Sequence, residues 1–212
     1  MMTLYRILEI YGVDPRTIRL VRHGNKEIPI RETFRNNLPR FEAYQSYQLP
    51  GKFGSASSIV VFAPHQKTTS LLLGLWDIKG VTENAEFSEE NKEEIDRFSL
   101  PKEWLEGLVK YRLSRNEVLD ELSERLVIEW GAATVAWVQS KDKKVVELKP
   151  ESSIRDFSSF SDVDLTYQDL RTIAEFPDSN RIWITALSSV NGVSLIRDNR
   201  SGKLYVGSAY GD

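Results

Sequence analysis

Apolar positions recur at helical spacing in the first residues: Leu4, Ile7, Leu8 and Tyr11 fall at i, i+3, i+4 and i+7 and predict a helix over Thr3–Tyr11, with Thr3 as its cap and Gly12 at its end. After the Asp14-Pro15 turn the spacing changes to two. Thr17–Arg22 is predicted as a strand with Ile18, Leu20 and Arg22 on one side and Arg19 and Val21 on the other. Ile30–Gln48 predicts two short helices broken at Pro39. Ser57–Phe62 and Thr69–Ile78 predict buried strands joined by a turn at His65-Gln66-Lys67. Glu83–Asp96 is acidic and without apolar period, and is expected to be a solvated loop. Glu103–Leu122 is expected to be helical, and strands are expected over Leu126–Trp130, Thr134–Val138 and Lys144–Leu148. Ser152–Asp164, rich in Ser and Asp, reads as a linker. Two helices around Pro177 and two apolar runs, Gly192–Ile196 and Lys203–Gly207, close the chain; the polar turn ending in Gly202 between those runs predicts a β-hairpin.

The pattern is that of an α+β protein in two parts: a mixed, barrel-like β domain with flanking helices over 1–150, and helices plus a hairpin over 165–212, joined by a linker at 151–164. Composition supports folded domains, since 41% of the 212 residues are apolar. The absence of cysteine excludes a disulfide framework and thiolate metal sites. No apolar run reaches the ~20 residues needed to span a bilayer, and the N-terminus lacks a signal-peptide core, so a soluble cytoplasmic protein with no membrane partner is expected.

Charge is unevenly distributed. The net charge is −3, yet residues 1–52 hold nine Lys/Arg against five Asp/Glu, whereas 77–129 hold eight against fifteen. A basic segment attracts phosphate even in an acidic protein. Other chemistry finds little support. His23 and His65 are the only histidines, leaving no zinc ligand set. Gly51-Lys52-Phe53-Gly54 lacks the spacing of a phosphate loop, and Glu89, Glu90, Glu93 and Glu94 lack the alternation of a calcium loop. No serine has a neighbouring histidine that suggests a hydrolase triad.

The C-terminal residues carry a more specific signal. Gly192-Val193-Ser194-Leu195-Ile196 followed by Gly202-Lys203-Leu204-Tyr205-Val206-Gly207-Ser208-Ala209 resembles the paired strands that open the core of the GIY-YIG nuclease family. Tyr205-Val206-Gly207 matches the second strand, while Ser194 occupies the tyrosine position of the first. The resemblance implies a metal-dependent DNA endonuclease of restriction or defence against foreign or modified DNA, with Tyr205 as the catalytic residue and Mg as the metal of the complete enzyme. In that family a later helix supplies an arginine and a later glutamate binds the metal. The sequence stops at Asp212, before either position, so these 212 residues are expected to bind without cleaving and to hold no metal themselves. A tyrosine with a pKa near ~10 needs such partners to act as a base.

The preceding module is similar to small mixed barrels of the PUA-like superfamily, on the order of a short helix with Phe41, Glu42, Tyr44, Gln45, Tyr47 and Gln48 before strands ending in Leu73-Gly74-Leu75-Trp76-Asp77-Ile78. That resemblance implies reading of RNA or modified DNA bases. Tyr44, Gln45, Tyr47, Gln48 and Trp76 are the expected base-reading pocket: aromatics stack on bases and amides pair with base edges. Arg19, Arg22, Lys26, Arg31, Arg35 and Arg40 are the expected phosphate contacts. The competing reading makes Phe41 and Tyr44 core, Trp130 and Trp137 core, and the charges an interface for a protein partner. Convergence of the arginines on a hollow near Tyr44 and Trp76 would favour DNA.

Overall fold

The computed structural model describes residues 2–24, 28–82, 89–101, 107–132, 136–150, 154–155, 157–198 and 200–209. It is an α+β protein that divides into two compact units, Met1–Leu148 and Lys149–Asp212. In the first unit helix α1 (Leu4–Ile10) precedes strand β1 (Ile18–Arg22), helices α2 (Ile30–Asn36) and α3 (Leu38–Ser46) and strands β2 (Tyr47–Gln48), β3 (Ser58–Pro64) and β4 (Thr69–Thr82). Helix α4 (Glu89–Arg97) and strands β5 (Val109–Asn116), β6 (Leu126–Glu129), β7 (Val138–Gln139) and β8 (Val145–Leu148) complete it.

One mixed sheet carries this unit. The order β2-β5-β4-β3-β1-β7 forms the main path, with β6 bound to β4 and β8 bound to β6. Among the described residues β1 and β3 run parallel, with Ile18 opposite Ser58 and Arg22 opposite Phe62, and the other pairs are antiparallel. β4 is the organising strand. One of its edges binds β3 along Ser70–Asp77. The other binds β6 at Thr69–Leu71 and then β5 at Leu75–Thr82. A strand that changes neighbour along one edge curls its sheet, and two bulges allow it.

The first bulge is set by sequence. Val61 pairs with Gly74 and Phe62 with Leu72, so Leu73 is the extra residue. The insertion reverses side-chain parity along β4. Leu72 and Leu75 enter the core shared with Leu4, Leu8, Leu20, Phe62, Leu126 and Trp130. Leu73 and Trp76 enter the opposite core, with Val21, Phe34, Phe41, Val61 and Tyr111. Gly74 sits at φ +153°, and a Cβ there would meet the Trp76 ring at 3.2 Å. The second bulge falls between Ile78 and Gly80, where Gly80, at φ +151°, lies under the Arg112 guanidinium.

The helices cover the two faces. Leu4 and Leu8 of α1 are fully buried, as their spacing predicts. Thr3 does not cap the helix through its side chain; the Leu4 N–H donates to the Lys143 carbonyl at 2.8 Å and the Tyr5 N–H to Asp142 Oδ1 at 2.9 Å. The break between α2 and α3 is at Asn37, whose side chain accepts from the Arg40 N–H at 3.1 Å; Pro39 lies inside the first turn of α3, where its missing N–H has no partner to lose.

Two expected elements take another form. Glu89–Asp96, expected within a solvated loop, belongs to α4, which buries Ile95 and ties Glu94 to Tyr47 and Lys110. A single apolar anchor leaves no period to read. Val109–Asn116, expected within a helix, is β5: Val109 and Tyr111 point into the core and pairing with β4 overrides helix propensity. Residues 83–88, 102–106 and 133–135 of the expected loop, helix and strand lie outside the described residues, as does Lys26.

The second unit contains helices α5 (Tyr167–Glu175) and α6 (Arg181–Ser188) and an antiparallel hairpin of β9 (Gly192–Arg197) and β10 (Leu204–Ala209). Thr166 and Asp169 form a capping box on α5. Asn180 is buried, bonding the Phe176 carbonyl at 2.9 Å and receiving the Ile154 N–H at 2.9 Å. Part of the expected linker is ordered here: Phe157 packs on Phe160 and Trp183 at 5.0 and 5.2 Å between ring centroids.

Replacing Gly74 with Ala should lower unfolding stability by about 1–3 kcal/mol, because the backbone region it occupies is nearly closed to side chains. Urea unfolding followed by tryptophan fluorescence measures it; an unchanged midpoint would refute the role given to the bulge.

Candidate nucleic-acid interface

The parallel pair β1 and β3 brings the C-terminal end of β1 beside α3. Arg22 is its last residue and His23 follows, with the His23 N–H donating to the Phe62 carbonyl at 3.0 Å and the Arg22 N–H to the Trp137 carbonyl at 2.7 Å. Strand alternation puts His23 on the face that carries Val21, against α3. Its imidazole lies 5.0 Å from the Tyr44 ring, 6.0 Å from Phe41 and 5.9 Å from Trp137, centroid to centroid. Lys52 holds its ammonium 4.5 Å from the Trp137 ring centroid.

Polar atoms inside this enclosure are unsatisfied. Gln45 is fully buried and His23 nearly so. The amide oxygen and nitrogen of Gln45 and Nε2 of His23 have no hydrogen-bond partner among the described residues. Burial pushes His23 down to about 3, and the Gln45 amide beside it acts in the opposite direction. The imidazole is therefore neutral near pH 7, and its unpartnered Nε2 is a single donor or acceptor beside the amide of Gln45. Each buried polar atom without a partner costs about 1–3 kcal/mol. Tyr44 and Trp137 are half-buried and form the rim of the enclosure.

The other expected pocket residues are occupied. Trp76 is fully buried between Phe34 and Phe41, and its indole N–H donates to Glu42 Oε1 at 2.9 Å. Neither face is open to a base. Tyr47 donates its hydroxyl to Glu94, and Gln48 donates its amide to the Gln45 carbonyl at 3.1 Å. Burial, followed by the Glu94 contact, raises Tyr47 far above the ordinary phenol range. Of the five expected residues, Tyr44 and Gln45 remain at the site. Sequence reasoning missed His23, weighed only as a zinc ligand, and set Trp137 aside as core. A histidine directly after an alternating strand was the available signal.

The arginines do not gather on one surface. Arg35 pairs with Glu124 at 2.6 Å. Arg19 donates to the Ile18 carbonyl at 2.8 Å and lies on the face of β1 opposite to Arg22. Arg31 and Arg40 lie on α2 and α3, and Arg40 buries its Nε. Arg22 is 9% exposed and donates from Nε to Ser70 Oγ at 2.9 Å.

In the second unit the hairpin forms with Tyr205 opposite Ile196 and Gly207 opposite Ser194, so Tyr205 and Ser194 share one face as diagonal neighbours. Ser194 Oγ donates to the Gly207 carbonyl at 3.3 Å. The turn is held by Asp198, which takes the Arg200 N–H at 2.9 Å and the Ser201 hydroxyl; these bonds, Ser201 first, lower its carboxyl pKa. Tyr205 is 55% exposed. Among the described residues no group of three His, Asp or Glu side chains is placed to hold a metal ion, and the hairpin offers no ligand set for the Mg that its resemblance implies. No described helix is long and apolar enough to cross a membrane. Compared with family models, curated proteins and solved structures, the chain matches none.

Because folded His23 resists protonation while the unfolded chain protonates near ~6.5, stability should be full above that pH and decline as pH falls toward about 3. The loss should reach roughly 1.4 kcal/mol per pH unit. Urea titrations at pH 7 and 4.5 measure it, and His23→Gln should flatten the difference; equal slopes in both proteins would refute a buried neutral imidazole.

Proposed function

We propose that Met1–Leu148 is a PUA-like, DNA-targeting domain and that Lys149–Asp212 presents the opening hairpin of a GIY-YIG-type nuclease, acting on foreign or modified DNA. The observation that carries the first part is the trio of unpartnered polar atoms on His23 and Gln45 inside an aromatic enclosure. The Nε2 of the neutral imidazole, a donor or an acceptor according to its tautomer, and the donors and acceptor of the Gln45 amide are groups of the kind that pair with a base edge. Tyr44 and Trp137 supply stacking faces at the rim, worth about 1–3 kcal/mol per base. An extruded base would enter as these rings part, and Lys52 beside Trp137 would meet its backbone.

Support for the second part is the Tyr205-Val206-Gly207 strand in register with Gly192–Arg197, with Tyr205 and Ser194 on one face. The family's cleavage would use Tyr205 with a divalent metal held by residues other than those described here. Ser194 in place of a tyrosine leaves a shorter hydroxyl, bonded to Gly207, where the family has a phenol.

A second reading is favoured by one observation. The dispersed arginines form no shared basic hollow, and Val193, Leu195 and Val206 of the hairpin are 77%, 65% and 73% exposed, as an interface for a protein partner would be. Salt dependence separates the two, since counterion release belongs to DNA.

In gel-shift titrations the chain should bind a duplex with one mismatched base more tightly than the matched duplex, because extrusion is cheaper there. Affinity should fall with salt, and Gln45→Leu should weaken binding about tenfold without loss of stability. Binding that ignores both salt and mismatch would reject the DNA reading.

A further inference from the structure

We infer that Arg22, with Ser70 and the backbone at Gly24, forms an anion subsite that holds the phosphate next to the base taken by His23 and Gln45, an inference that rests on the DNA reading above. Arg22 is more than nine-tenths buried and stays charged, since a guanidinium keeps its proton throughout the accessible pH range. Such burial normally comes with a carboxylate. Here, among the described residues, the side-chain partner is the neutral Ser70 hydroxyl, itself fully buried, at 2.9 Å from Nε. Among the described residues no Asp or Glu forms an ion pair with Arg22. Burial alone acts on its pKa, lowering it, with no carboxylate pulling the other way. An unpaired buried cation is strongly destabilising unless an anion completes it.

The outer end of the side chain is reachable. Its Nε is spent on Ser70, whereas neither terminal nitrogen is an enclosed atom lacking a partner. Gly24, exposed and two residues on, borders it: a Cβ there would lie 3.8 Å from Arg22 Nη1 and 3.3 Å from Pro64 Cγ. A larger side chain at position 24 would crowd Pro64 and the guanidinium. A planar fork of donors with a hydroxyl beside it suits the oxygens of a phosphate. His23 follows Arg22 directly, on the opposite side at the end of β1, so base and phosphate of one nucleotide would straddle the strand end.

The test uses the full chain, inorganic phosphate and a short single-stranded DNA. By phosphorus NMR titration at low salt, phosphate should bind wild type, bind Arg22→Gln about tenfold more weakly, and bind Gly24→Val more weakly with Arg22 still in place. For the DNA, Arg22→Gln should reduce the salt slope by about one phosphate contact, ~0.7 in log K against log salt. Phosphate and DNA bound equally by wild type and Arg22→Gln would overturn the subsite while leaving the DNA reading standing. Phosphate binding that depends on Arg22, with no DNA binding, would overturn the DNA reading and leave a site for free phosphate. Should Arg22→Gln fail to fold, Gly24→Val decides: unchanged phosphate affinity in that variant overturns the proposal.

Discussion

The first unit depends on the one-residue insertion at Leu73 in β4. A regular strand shows alternate residues to alternate faces, so its apolar run would serve both faces only in fixed parity. The bulge shifts that parity halfway along. Leu72 and Leu75 feed the core beneath α1, while Leu73 and Trp76 feed the core beneath α2 and α3. It also bends the strand, letting one edge of β4 leave β6 and join β5. Glycine at 74 is required by backbone conformation and by the closeness of the Trp76 ring.

That curl determines what the end of β1 can become. β1 and β3 lie side by side in parallel, so Arg22 and His23 emerge together beside the β3–β4 turn and under α3. His23 enters a space walled by Phe41, Tyr44 and Trp137, and Arg22 enters the other layer beside Ser70. A fold maximising stability would fill both places with apolar side chains. Instead the chain keeps a neutral imidazole and a primary amide there with polar atoms unpartnered among the described residues, and a guanidinium bonded to a neutral hydroxyl, and function is the physical reason put forward for that retention.

The second unit poses a different problem. Its hairpin has correct pairing and a well-bonded turn, yet Val193, Leu195, Ile196, Leu204, Tyr205 and Val206 are exposed. A two-stranded ribbon is marginal without a covering layer. The helices are better satisfied, through Ile173, Trp183 and the buried Asn180.

Periodicity by itself determined the elements whose stabilising contacts are spaced regularly along the chain: α1, β1, the α2–α3 pair, β3, β6, β8, the helices around Pro177, and the hairpin with Tyr205 facing Ser194's side. It failed at α4, anchored by one isoleucine, and at β5, where strand pairing outweighs helix propensity. Tyr44 and Gln45, grouped in the sequence on one short helix, lie beside His23 in the structure. Only the tertiary structure decided that Trp76, Tyr47 and Gln48 are consumed by internal contacts, that Arg35 is ion-paired, that Arg22 meets the Ser70 hydroxyl instead of a carboxylate, and that His23 Nε2 is buried without a partner among the described residues. The reason is that a polar group's availability depends on what lies across space from it, at sequence separations such as the 34 residues between Trp76 and Glu42, and local spacing carries no record of those partners.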